Sequence, residues 1–161
     1  MSETKPTAAL FVDVQNIYYT CRQKYQRQFN YRLLWQKLSE TYELTIANAY
    51  AIDSNNDGQH KFQTALRSMG FNVKLKPYIQ RSDGSAKGDW DVGITIDVME
   101  AAAQVENIIL MSGDGDFDML LEHVAEKYHV RTHVMGVQEL TARSLINSCN
   151  DFQIIDEEYL L

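Results

Sequence analysis

Four aspartates carry the most chemistry this chain offers. Asp13 ends the apolar run that begins at Ala8, Asp114 and Asp116 follow the apolar run Ile108–Met111, and Asp91 lies just after Trp90. Carboxylates gathered in one pocket raise each other's pKa and destabilise the fold unless a cation sits among them. Mg2+ or Mn2+ resolves that repulsion, because hard cations take oxygen ligands and keep several waters. Two such ions can clamp the attacking and leaving oxygens of a phosphodiester. Each aspartate also has a plainer use. Asp13 and Asp116 would serve as N-caps of the helices that follow them, and Asp118 is favourable in a first helical turn. Only the meeting of all three segments at one edge separates a metal site from a set of caps.

Competing motifs fail by position. Asp114-x-Asp116-x-Asp118 begins like an EF-hand loop, but Met119 and Ala125 stand where glycine and glutamate are required. Gly113-x-Gly115-x-x-Asp118 lacks the third glycine of a dinucleotide fingerprint. The chain has no P-loop, no GxSxG and no CxxC, and Cys21 and Cys149 are far apart. A phosphatase with an aspartate nucleophile wants DxDx[TV], whereas Asp13-Val14-Gln15-Asn16 supplies no second aspartate. His60, His123, His129 and His133 form no metal-spaced pair on a helix.

Strands and helices must alternate to position these residues. Ala8–Val14 reads as a strand buried on both faces, and Asn16–Gln28 and Tyr31–Thr41 as helices. Strands are expected over Leu44–Ile52, Phe71–Gln80, Ile108–Met111, His129–Val137 and Phe152–Ile155. Helices are expected over His60–Met69, from Asp89 or Trp90 to Gln104, over Asp116–Tyr128 and over Thr141–Asn147. Residues 81–88 read as a polar, mobile loop. Helices of this length between strands imply parallel pairing and a three-layer α/β/α sandwich. Ligands in such sheets bind beyond the carboxyl ends of the strands, where the strand order reverses.

With 161 residues and no internal repeat, one domain over 1–161 is expected, with 1–7 and 156–161 as tails. The start MSETKPTAAL has neither the basic residues nor the apolar run of a signal peptide. No stretch approaches the ~18 apolar residues of a membrane span. The chain therefore reads as cytoplasmic, with no membrane partner. Its net charge of −7 is unevenly spread: residues 1–90 carry twelve Lys/Arg and eight Asp/Glu, residues 91–161 three and fourteen. A basic region beside an acidic one permits a polyanionic ligand, because screening confines contact to about 8–10 Å.

Three motifs, in order, resemble the NYN domain, a branch of the PIN-like nuclease superfamily, and within it the bacterial LabA-like (DUF88) group. They are Phe11-Val12-Asp13-Val14-Gln15-Asn16, Lys87-Gly88-Asp89-Trp90-Asp91 with Asp97 beyond, and Ser112-Gly113-Asp114-Gly115-Asp116-Phe117. The likeness covers about residues 8–140, and the Ser-Gly-Asp-x-Asp-Phe element is its most specific piece. It implies a PIN-like Rossmannoid fold with strand order 3-2-1-4-5 and metal-dependent cleavage of RNA. By that resemblance Asp13, Asp91, Asp114 and Asp116 match the metal-binding set, Asn16 the accompanying amide and Lys87 the basic residue before the helix. Asp97 matches a further acidic position, but it lies ~120° around the helix from Asp91 and ~9 Å along it. An ion pair or a structural hydrogen bond suits it equally well.

Arg22, Lys24, Arg27, Arg32 and Lys37 are interleaved with Tyr18, Tyr19, Tyr25, Phe29 and Tyr31. That mixture suits a single-stranded RNA groove, although aromatics at helical spacing equally pack against a sheet. Arg81 and Lys87 flank the polar loop and reach toward the catalytic edge. The expected function is a Mg2+- or Mn2+-dependent ribonuclease. The alternative is a non-catalytic regulatory module of the same fold that binds RNA or protein. Neither reading excludes a homodimer.

Overall fold

Strand β1 (Thr7–Asp13) is buried along Ala8–Val12, and its side chains alternate between two cores. Ala8, Leu10 and Val12 pack on one face of the sheet, Ala9 and Phe11 on the other. This is how a strand covered by helices on both sides must read. The structure, a computed structural model, describes residues 4–53, 56–77, 79–80, 86–87 and 89–161, with the side chains of 79–80 and 86–87 excepted.

The elements follow as α1 (Val14–Tyr25), α2 (Tyr31–Thr41), β2 (Glu43–Asp53), α3 (Asp57–Met69), β3 (Asn72–Pro77), β4 (Ile79–Gln80), β5 (Ala86–Lys87) and α4 (Asp91–Ala102). Then come β6 (Asn107–Met111), a 3-10 turn at Gly115–Phe117, α5 (Asp118–Tyr128), β7 (Arg131–Gly136), α6 (Arg143–Ser148) and β8 (Asp151–Ile154). Six strands form one parallel sheet in the order β3-β2-β1-β6-β7-β8. Counting those strands alone, the order is 3-2-1-4-5-6, the expected arrangement with one strand added at the edge. Helices α1, α2 and α3 cover one face, and α4, α5 and α6 the other. The order reverses between β1 and β6, so the ligand crevice of such a sheet falls there.

The differences from the expected elements have local causes. Helix α1 stops at Tyr25 because Gln26 adopts the left-handed conformation, its N–H bonding the Arg22 carbonyl. The expected strand over Phe71–Gln80 divides: β3 ends at Pro77, and β4 leaves the sheet to pair antiparallel with β5. A proline donates no ladder hydrogen bond, so it suits the end of an edge strand. Residues 81–85 of the expected loop lie outside the described residues, while Ala86–Lys87 is strand rather than loop. The helix expected from Asp116 begins with a 3-10 turn and becomes α-helical at Asp118.

Residues 156–161, read above as a tail, fold back on the chain. Tyr159 and Leu160 are buried, Leu160 bridges Phe29, and the Asn30 N–H donates to the Tyr159 carbonyl at 2.7 Å. Among the described residues, no helix is long and apolar enough to cross a membrane.

Candidate metal centre

Asp13 and the Ser112–Phe117 segment leave the sheet side by side, because β1 and β6 are paired neighbours up to Val12 and Met111. The buried Ser112 hydroxyl donates to Asp13 Oδ2 at 3.0 Å and accepts from the Asp114 N–H at 3.2 Å. Asn16, in the first turn of α1, accepts from the Gly113 N–H at 2.9 Å through its Oδ1. Its Nδ2 makes no hydrogen bond among the described residues. Asp13 precedes α1 but forms no side-chain cap to it, so the plainer use as an N-cap does not hold. Asp114 does cap the 3-10 turn, accepting from the Asp116 N–H at 2.9 Å.

The loop after β6 closes in because it carries two glycines. A Cβ on Gly113 would stand 2.5 Å from the Leu140 carbonyl oxygen, and one on Gly115 would stand 2.9 Å from Ala142 Cβ. The Ala142 N–H donates to the Gly113 carbonyl at 3.0 Å, fastening the loop to the segment before α6. Any larger residue would push these carboxylates off their places.

Helix α4 supplies the third segment. Trp90 holds its start against the end of β2, donating from Nε1 to the Ala51 carbonyl at 2.9 Å and packing 5.3 Å from the Tyr50 ring. Its ring also fills the space beside Gly93, where a Cβ would meet it at 2.6 Å. Lys76 Nζ lies 4.5 Å from the centroid of the Trp90 ring and donates to the Asp89 carbonyl at 3.0 Å. Asp91, thereby placed in the first turn, offers a carboxylate oxygen within 4.8 Å of one from Asp114 and one from Asp116.

Burial and crowding decide the protonation of this group. Asp13 is raised from 3.8 to about 6, chiefly by burial. The Ser112 bond and the nearby Asn16 N–H, which stands off capping geometry, offset burial only in part, while Asp114 and Asp89 add to the rise. Asp91 is raised to about 7 by burial, then by the charges of Asp114 and Asp89, by a hydrogen bond shared with Asp114, and by Asp13. Asp89 adds negative charge beside this group, and its Oδ1 accepts from the Asp91 N–H at 3.3 Å at the start of α4. Its available signal was its place two residues ahead of Asp91 at a helix start. Nothing local in the sequence links Lys76, near the end of β3, to α4.

Other expected residues stand apart. Asp97 accepts from the Tyr50 hydroxyl at 2.7 Å and from Lys74 Nζ at 2.6 Å, which makes it a structural ion pair beneath α4. Asp118 is half-buried and accepts from the Met119 N–H. Lys24 pairs with Glu139 at 3.3 Å, and Arg27 donates to the Leu161 and Leu160 carbonyls. Arg22 donates to the Tyr18 hydroxyl at 3.0 Å and has no carboxylate partner among the described residues. Arg81 and the Lys87 side chain lie outside the described residues.

Fold and site together define a doubly wound α/β protein with an all-oxygen, strongly acidic centre at its switch point. Residues 7–156 match the NYN domain, and the chain belongs to that family. It is 30% identical over 154 residues to the low amplitude and bright protein LabA of Synechococcus elongatus, covering 89% of this chain and 81% of that one. A crystal structure of a protein of unknown function from Vibrio parahaemolyticus is 49% identical, with a TM-score of 0.93 over 100% of this chain and 99% of the other.

Proposed function

We propose that this protein is a metal-dependent ribonuclease that hydrolyses RNA phosphodiester bonds with Mg2+ or Mn2+ held by Asp13, Asp91, Asp114 and Asp116. The observation that carries this reading is the meeting of Asp91, Asp114 and Asp116 oxygens within 4.8 Å, in a family generally made of nucleases. The donor set suits such an ion: every ligand is a hard oxygen. Among the described residues no lysine, arginine or histidine forms an ion pair with any of the four. Burial then drives Asp13 and Asp91 toward protonation, as expected of a site whose counter-charge comes from outside the chain.

When bound, the ion supplies positive charge that favours ionisation of an attacking water and offsets phosphate charge. Asn16 is held by its Oδ1, which leaves Nδ2 to donate to an oxygen of the scissile phosphate. Ser112 keeps Asp13 and Asp114 in mutual register. Lys87 and Arg81 neutralise substrate charge, with Arg22 further along the strand. The substrate is single-stranded RNA, the setting is the cytoplasm, 1–161 acts as one domain, and a homodimer is compatible with this scheme.

The test is Mn2+-dependent cleavage of single-stranded RNA by purified protein beside Asp114→Asn. Asparagine keeps the oxygen that caps the 3-10 turn, so the loop is retained while a charge is lost. Turnover should fall by about 100-fold or more, as expected for a group that acts on developing charge. Unchanged turnover would remove the proposed role. A regulatory module of the same fold predicts no stabilisation by millimolar Mn2+, whereas a metal bound only by the folded state stabilises by about 2.7 kcal/mol at 100 Kd.

A further inference from the structure

Beside the acidic centre, and not used by it, runs a groove of about 560 Å³ between α1 and α3. It begins at Val14 and Gln15, directly after Asp13, and it is floored by the end of β2 at Ala51 and Ile52. Its walls are unusual in two respects. Three aromatic side chains in them are exposed, Tyr18 at 43%, Tyr19 at 57% and Phe62 at 36%. A buried amide is left without a partner: Gln63 is 3% exposed and makes no hydrogen bond among the described residues.

No sealed side-chain nitrogen or oxygen lacks a partner among the described residues, so the Gln63 amide reaches the open space of the groove that it lines. There it presents a donor and an acceptor side by side, the pair that a carboxamide uses to read the edge of a base. Exposed aromatic faces are stacking surfaces for unpaired bases. Arg22 stands at the same groove with its charge uncompensated by any carboxylate among the described residues.

We infer that this groove binds one unpaired nucleobase of an RNA strand, stacked on Tyr19 and Phe62, edge-read by Gln63, with an adjoining phosphate at Arg22. The inference rests on the nuclease reading for its substrate class and specifies which part of the strand the protein selects. The size of the groove suits a nucleotide, since ligand pockets run to about 300–1,000 Å³.

The experiment separates the two readings. Binding of fluorescent penta-adenylate, -cytidylate, -guanylate and -uridylate is measured in EDTA on the Asp114→Asn protein, where cleavage cannot intervene. That protein should prefer one of the four. Adding Tyr19→Ala should weaken binding of the preferred oligomer about tenfold. Adding Gln63→Leu, which keeps the buried volume, should bring the four affinities together. Adding Arg22→Gln should lower the salt dependence by about one unit of slope. Folding of each variant is checked by circular dichroism. Base-selective binding lost in these variants establishes the groove even if no cleavage is ever found. Cleavage with affinities and preference unmoved by Tyr19→Ala and Gln63→Leu in folded protein overturns the groove and leaves the nuclease standing.

Discussion

Ser112 donates to Asp13 at 3.0 Å across neighbouring parallel strands, and the same oxygen receives the Asp114 N–H. One buried hydroxyl thus ties the carboxylate that ends β1 to the carboxylate that follows β6. The backbone ladder of β1 and β6 ends at Val12 and Met111, and this side-chain link, with the Asn16–Gly113 bond, carries the pairing on to the two carboxylates.

Ser112→Ala should therefore loosen the site before it loosens the fold. It strips the Asp114 N–H of its acceptor and the Asp13 carboxylate of its donor, costing about 1–3 kcal/mol of stability. Losing the donor also raises Asp13 further, which opposes metal binding. Orienting partners of this kind are worth about 10–100-fold in metal affinity. Calorimetric titration with Mn2+, alongside urea unfolding, reads both effects.

The acidic centre makes the metal-free protein less stable as pH rises. Asp13 and Asp91 titrate near 6 and 7 when folded, against 3.8 ordinarily, so the folded chain holds more protons than the unfolded one between these values. Stability gained by proton uptake is present below the ordinary pKa and lost as pH rises through the folded ones. Melting temperature should fall from about pH 5 to about pH 8, and less steeply in Asp91→Asn. Saturating Mn2+ should restore most of the loss at the higher pH. A difference between the two proteins that is flat across this range would sink the assignment.

Asp97 should behave unlike Asp91. Asp97→Ala removes the acceptor of Tyr50, whose side chain is fully buried, and the partner of Lys74. A loss of about 2 kcal/mol is expected, read as a shifted urea midpoint. Mn2+ affinity of the folded variant should stay within about twofold, because the residue touches no member of the acidic group.

Two glycine substitutions should have opposite signs. Gly113→Ala drives a methyl to 2.5 Å from the Leu140 backbone oxygen. The loop must shift, costing about 1–3 kcal/mol and weakening Mn2+ binding. Gly58→Ala in α3 meets only the Asn56 side-chain oxygen, at 3.4 Å. It should be neutral or stabilising by up to ~1 kcal/mol, since alanine favours a helix over glycine. Thermal melting of the pair distinguishes close approach from general sensitivity.

The alternation of buried strands and amphipathic helices was legible along the chain because each element announces itself within a few residues. The run Ala8–Val12 and the limits of α2 at Tyr31 and Thr41 show this directly. All four metal-candidate aspartates can be placed from sequence at one edge: Asp13, Asp114 and Asp116 follow strands whose topology brings their ends together, and Asp91 opens a helix that starts there. Partners were not legible. The tie from Ser112 to Asp13, the charge that Asp89 adds beside Asp91 and the capture of Asp97 by Lys74 and Tyr50 depend on which side chains face one another. So does the groove of α1 and α3, where only packing leaves Gln63 buried yet unpaired. Local pattern determines which elements form and what they carry. Distances of a few ångströms between segments 20 to 100 residues apart are decided by close packing around them, and metal binding depends on those distances.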